Sequence, residues 1–496
     1  MSLSNLEKAR AYENEHKNQC DAARPFIHFT PATGWCNDPN GFSVFQGIYH
    51  LFYQYYPYDT KWGSMHWGHA QSKDLIHWDY LPAALAPDQT FDELGCFSGS
   101  AIELDPEHQL LIYTGCYTGE LTPITGTYYQ HQCIAIGDGR NYKKWDGNPA
   151  IPANMLPQGH NGLDFRDPKI WKENDDYYTI VSSQLENQKG AILVYRSEDA
   201  YRWDYVSTLL ENDGSYGSMW ECPDLFSLER QDILLISPME MRAKGEFHAG
   251  HGSLGFLGHL DRKNFTFRKT QVQALEYGTD FYAATTLESP DGRRIMIAWL
   301  HNWAYKEYNM MSGPLFGQMI LPRELFLKEG RLCQLPVREL AHYYGAHFQQ
   351  SSMIKDQWIY EEGPMDVYDL TFTFDLSEKA KEAAYMPAFH FRIMLGQEEG
   401  DLFLLDYDGN EKKFLADRSA AGVKLDIVSK RYFDASPIKN RLKIRFLVDR
   451  YSIEIFINDG MQAATFQIAS LDHGISLDVN REIPTDIEIH EICTHL

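Results

Sequence analysis

The segment Trp35-Cys36-Asn37-Asp38-Pro39-Asn40-Gly41 sets one carboxylate, Asp38, between two amide side chains, beside a proline that fixes the backbone and a glycine that frees it. Alone, Asp-Pro-Asn-Gly is an ordinary turn signal. Two further acids sit beside prolines, Asp167 in Arg166-Asp167-Pro168 and Glu221 in Glu221-Cys222-Pro223. Several carboxyl groups in one pocket repel, so at least one is driven toward its protonated form near neutral pH. One ionised and one protonated carboxyl group is the equipment for cleaving a glycosidic bond. The first attacks or stabilises the sugar cation, and the second protonates the departing oxygen. Aromatic residues are plentiful nearby: Trp35, Trp62, Trp67, Phe97, Trp220, Tyr277 and Trp299. Each ring taken singly is core filling, but flat apolar faces beside hydrogen-bonding groups suit a sugar.

That chemistry requires the three acids to meet, and a repeat in the chain supplies the means. Five short apolar runs read as buried strands: Tyr49–Tyr53, Leu110–Thr114, Tyr177–Val181, Ile233–Ser237 and Ile295–Trp299, spaced about sixty residues apart. A weaker echo, Ser72–Trp78 against Ser197–Trp203, repeats on the same scale. Self-similarity at a fixed period marks a repeat architecture. Sixty residues of strand and turn suit a four-stranded sheet, so the spacing predicts a five-bladed β-propeller over 25–325. Just upstream of the runs lie Asn37-Asp38-Pro39, Phe97-Ser98-Gly99-Ser100, Arg166-Asp167-Pro168, Glu221-Cys222-Pro223 and Thr279-Asp280-Phe281-Tyr282. If those are innermost strands, the five segments converge on one mouth of the central channel, with Arg166, Asn37 and Asp280 around the acids.

Residues 1–24 allow a short helical segment, and 326–345 reads as a linker. From 346 to 496 polar and apolar residues alternate with period two, as in Tyr368–Phe374 and Leu442–Val448, which predicts an antiparallel β-sandwich. The fold class is therefore all-β. A net charge of −24 disfavours nucleic acid and anionic membrane as partners. No window reaches the length of an apolar membrane span, and the N-terminus lacks the order of a secretory signal. A soluble, cytoplasmic protein is expected. The eight cysteines show no CxxC pair and no His/Cys ligand spacing, so reduced thiols are expected and no structural metal.

The three acidic motifs together resemble the signatures of glycoside hydrolase family 32, which holds invertases, sucrose-6-phosphate hydrolases and fructanases. Tyr53-Gln54-Tyr55, Trp67-Gly68-His69, Phe97–Ser100, Tyr277–Tyr282 and Ser452–Gly460 extend the resemblance over nearly the whole chain. The resemblance implies a propeller followed by a sandwich, and a retaining enzyme that releases fructose from small fructosides such as sucrose or its 6-phosphate. It makes Asp38 the nucleophile, Glu221 the general acid and base, and Asp167 a transition-state stabiliser acting with Arg166. It assigns Asn37, Gln54, Trp62, Phe97, Ser98, Tyr277, Asp280 and Trp299 to the fructose pocket. Such a two-step displacement predicts the Asp38 and Glu221 carboxyls roughly 5–5.5 Å apart and needs no metal or organic cofactor. Cys36 departs from the family, which commonly has Met there, and reads as a small apolar substitute. Cys222 reads as structural. Lys61 is the candidate for holding a substrate phosphate. Transfer of fructose to another sugar, and sugar binding without catalysis, are the alternative readings. Monomer and homodimer are both left open.

Overall fold

The computed structural model describes residues 3–118, 128–363, 365–377, 388–397, 401–422 and 427–493. A helix, Asn5–His16, opens the chain, with Ser4 and Glu7 closing a reciprocal cap on its first turn. Five consecutive antiparallel sheets follow, each built from four strands in chain order. They begin with the strands Gly34–Phe45, Gly95–Asp105, His160–Glu173, Trp220–Leu228 and Tyr282–Glu288. The first sheet gains a short fifth strand, Leu315–Phe316, parallel to Gly34-Trp35. The apolar runs expected as buried strands are the second strand of each sheet, not the first; their immediate neighbours upstream are the strands that carry the acids.

The five opening strands touch one another in cyclic order, the fifth returning to the first, so the N-terminal part is propeller-like. Residues 326–336, expected within a linker, instead complete the fifth sheet. Arg323–Lys328 and Arg331–Pro336 pair as a hairpin across Glu329-Gly330, both with positive φ (53° and 76°). That two-residue turn matches the twist of its strands. The crossing to the C-terminal part is the single 3-10 turn Arg338–Tyr343.

Two six-stranded antiparallel sheets make up the rest, running from Tyr344 to Ile492. Alternate residues such as Leu370, Phe372 and Phe374, with their cross-strand neighbours Ile444 and Phe446, pack with Phe391 of the other sheet in a core between the two. No helix among the described residues is long and apolar enough to cross a membrane.

Buried ion pairs join the two parts. His28 bridges Asp449 and Glu454 at 2.8 and 2.7 Å, and Arg323 Nε donates to the same Glu454 at 2.8 Å. Asp449 and Glu454 are held below the usual carboxylate range, although burial alone would raise them, because His28 and Arg323 stabilise their charge. Gly278 rests on the backbone of Thr465, where a Cβ would lie 2.1 Å from the carbonyl oxygen. Only glycine fits there. The junction therefore fixes the segment that leads into the fifth sheet.

Candidate active site

Each of the five opening strands is irregular where the site residues lie. Register shifts fall between Cys36 and Pro39, Phe97 and Gly99, Arg166 and Lys169, Glu221 and Asp224, and Tyr282 and Thr285. A bulge leaves residues unpaired with the neighbouring strand and re-aims their side chains. In the third, fourth and fifth sheets the positions are strictly equivalent: Arg166, Glu221 and Tyr282 precede Asp167, Cys222 and Ala283, all with positive φ (64°, 47° and 56°). Holding a non-glycine residue there is strained backbone of the kind that clusters at functional sites.

The bulges deliver Asp38, Asp167 and Glu221 to one cavity of about 470 Å³. Asn37, Gln54, Trp62, Phe97, Ser98 and Arg166 line it with them, together with Tyr128, Gln130, Leu163, Asp164, Trp303 and Lys306. Larger cavities lie at the junction of the two parts and at the opposite face of the five sheets, but neither gathers the three acids.

Ser98 Oγ donates to Asp38 Oδ2 at 2.8 Å, while Asp38 Oδ1 is buried and receives no hydrogen bond. Burial, then repulsion by Glu221, pushes the Asp38 carboxyl up to about 6. Glu221 is held at both oxygens. Arg166 Nε donates to Oε1 at 3.0 Å, and the Tyr282 hydroxyl donates to Oε2 at 2.6 Å. The Cys222 amide donates to Asp167 Oδ2 at 3.0 Å. Burial is the largest influence on Asp167; Arg166 opposes it, Glu221 and Asp38 add to it, and the result is about 7. The Cys222 thiol lies 3.8 Å from Asp38 Oδ2 and 3.7 Å from Asp167 Oδ2, and burial holds it well above its ordinary value. It stays a neutral thiol between two acids.

Arg166 faces Asp164 at 2.5 Å as well as Glu221 at 3.0 Å, so one guanidinium serves a cluster with four carboxyls. It cannot neutralise all of them, and the cluster retains a proton near neutral pH. The arrangement thus holds an ionisable group anchored at one oxygen beside a carboxyl fixed on both sides. That pair can attack at one atom and exchange a proton at another.

Three of the residues expected at the pocket lie elsewhere. Asp280 is completely buried at the junction, paired with Arg418 at 2.6 Å and accepting from the Gln467 amide at 2.9 Å. It precedes the fifth opening strand, whose equivalent of Glu221 is Tyr282, two residues on. Tyr277 also faces the junction, with its hydroxyl on Glu246 and its ring against Phe433. Trp299 is buried one layer behind the cavity between Trp35 and Trp303, and Trp303 takes the lining position instead. Lys61 is exposed and off the lining, which Lys306 reaches. Trp62 is 42% exposed at the rim and meets Phe97 edge-on at 6.0 Å.

Of the residues not foreseen, Tyr282 alone had a signal, because strict alignment of the five bulges selects it. Tyr128 and Gln130 stand at the start of the third strand of the second sheet, Tyr129–Gly137, Asp164 lies in the third opening strand two residues before Arg166, and Trp303 and Lys306 sit in or beside a short 3-10 turn.

The family model described as "Glycosyl hydrolases family 32 N-terminal domain" matches 28–336, and "Glycosyl hydrolases family 32 C terminal" matches 348–491. A sucrose-6-phosphate hydrolase of Zymomonas mobilis is 36% identical over 468 residues, covering 90% of this chain and 86% of its own. A raffinose invertase of Escherichia coli is 32% identical over 448 residues, covering 88% of this chain and 87% of its own. Among solved structures, a Bombyx mori GH32 beta-fructofuranosidase superposes with a TM-score of 0.83 at 32% identity, over 98% of both chains. A variant of that enzyme, with a TM-score of 0.82, is described as a complex with sucrose.

Proposed function

The chain belongs to family 32 of the glycosyl hydrolases, and on that premise we propose a double-displacement mechanism in which it releases fructose from sucrose-type substrates. It is a β-fructofuranosidase. In our reading, the Asp38 carboxylate attacks the anomeric carbon of the fructosyl unit as the glycosidic bond breaks. Glu221 gives its proton to the departing oxygen of the second sugar. Glu221, now ionised, then takes a proton from water, whose oxygen displaces Asp38 and frees fructose with its configuration retained. Asp167 and Arg166 grip fructose hydroxyls, and the Tyr282 hydroxyl aims Glu221.

The observation that carries this assignment is the asymmetry of Asp38. Ser98 anchors one oxygen, and the carboxyl lines the cavity without a cation of its own among the described residues, so its charge is left for the reacting carbon. Glu221, fixed at both oxygens, is built to hold a position while a proton comes and goes.

We read the five sheets as five blades around one axis, supported by the cyclic contacts of their opening strands. The blades span 34–336 and the sandwich 344–493. A cytoplasmic location is supported by eight cysteines that are all free thiols, six of them buried. The substrate test is product analysis at high sucrose. Equal release of glucose and fructose is the expected result, and a fructose deficit with growing oligosaccharides would make transfer the main reaction.

A further inference from the structure

We propose that His347, Glu488 and His490 form a surface site for one divalent transition-metal ion of the zinc class. The site lies on the sandwich, far from the fructoside pocket in sequence and on different strands. Among the described residues these three place one donor atom each within 4.8 Å of one another. His347 and His490 are direct partners across the antiparallel pair Tyr344–Ile354 and Ile483–Ile492. Glu488 lies two residues from His490, so strand alternation puts it on the same face. The register alone therefore turns all three side chains to one side of the sheet. No spacing along the chain could reveal this, because His347 and His490 stand at opposite ends of the sandwich sequence.

The distances suit a small tetrahedral ion. Zinc bonds to imidazole nitrogen and carboxylate oxygen at about 2.0–2.2 Å, which separates neighbouring tetrahedral donors by about 3.4 Å. Glu488 Oε1 lies 3.0 Å from His490 Nε2 and 3.5 Å from His347 Nε2. Two imidazoles and one carboxylate select a zinc-like ion over calcium or magnesium, which require mostly oxygen ligands. A water completes the fourth position.

The ligands are partly pre-positioned. His490 is stacked between His347 at 4.3 Å and Tyr344 at 4.2 Å, with interplanar angles of 4° and 9°. Tyr344 is itself fixed, donating to Asp369 and accepting from Arg445 at 3.1 Å. Parallel rings direct their lone pairs side by side, so loading tilts the His347 ring toward the shared ion. With 42% of its side chain exposed, His347 has room to do so. The bound ion clasps the strand that opens the sandwich to the strand that closes it, and stabilises the folded state in proportion to the logarithm of its free concentration.

Isothermal titration of zinc chloride into the chelator-treated full-length protein, with melting temperature measured in parallel, tests the site. The expected result is one zinc per chain and a raised melting temperature that EDTA reverses. His347→Ala and Glu488→Gln, both at exposed positions, weaken binding about tenfold or more. His490→Phe keeps the stacked ring and the metal-free melting temperature but loses the zinc response. Fructoside turnover stays unchanged in all three. Absence of zinc binding in the wild type, or equal affinity in His347→Ala and Glu488→Gln, overturns the proposal and leaves the cluster as a hydrogen-bonded surface group.

Discussion

Replacing Asp38 by Asn removes the charge that the pocket finds hardest to hold, and the structure sets the size of the effect. Asp38 lines the cavity wall, and burial together with repulsion from Glu221 moves its carboxyl from an ordinary value of 3.8 up to about 6. Each pH unit of such displacement corresponds to about 1.4 kcal/mol. Keeping the carboxylate ionised above pH 6 thus costs the folded state about 3 kcal/mol. The sign follows from proton binding. Below about pH 3 the group is protonated in both folded and unfolded chains and costs nothing. As pH rises from 4 to 6 the unfolded chain loses its proton first, and stability falls. Asparagine carries no charge at any pH and escapes this loss. Asp38→Asn is therefore inactive on sucrose yet melts at a higher temperature than wild type at pH 7.5, and the difference shrinks to a small fraction by pH 4. Scanning calorimetry at the two pH values, beside a sucrose assay, measures both. A variant no more stable at pH 7.5, or equally stabilised at both pH values, would refute the reasoning. Retained sucrose cleavage would remove Asp38 from its role.

Ser98→Ala removes the donor that supports ionised Asp38. A hydrogen bond to a charged group is worth about 1.5–3 kcal/mol, so the acid limb of kcat/KM moves upward from near 6 by about one to two pH units. The wild-type profile itself is bell-shaped: activity is lost on the acid side as Asp38 gains a proton near 6, and on the alkaline side as the cluster gives up the proton it retains near neutral pH. Tyr282→Phe keeps the buried ring but frees Glu221 Oε2, lowering kcat about 10- to 100-fold with little change in melting temperature. Asp280→Ala strands a buried Arg418 and destabilises the protein by about 3–5 kcal/mol, while the KM of the surviving fold stays near wild type. A raised KM at unchanged stability would return Asp280 to the pocket.

The sequence carried the convergence of the acids because repeated motifs occupy repeated positions. Asp38, Asp167 and Glu221 precede equivalent strands, and equivalence in sequence becomes proximity in space once the sheets close on one another. The same logic misplaced Asp280. The fifth repeat keeps the bulge but not the acid, so an aspartate two residues early stood in for Tyr282. Asp280 and Tyr277 look polar and pocket-like in sequence, yet their partners, Arg418, Gln467 and Phe433, come from the sandwich. Pairing between distant parts of a chain leaves no local trace. The boundary at 326–345 failed for a related reason: the Arg323–Pro336 hairpin is short, charged and flanked by proline, and only its pairing with Arg294–Trp299 makes it part of the fifth sheet. Lys306 and Trp303 belong to a 3-10 turn that obeys no period, and only the cavity identifies them.

The most direct test of the account is to catch the sugar on the enzyme. Wild-type protein turning over saturating sucrose is quenched in acid, digested and examined by peptide mass spectrometry. The expected result is a fructosyl ester on the peptide that carries Asp38, absent from Asp38→Asn. A fructosyl group on Glu221 or Asp167 instead, or turnover through an inverted product with no ester at all, would contradict it.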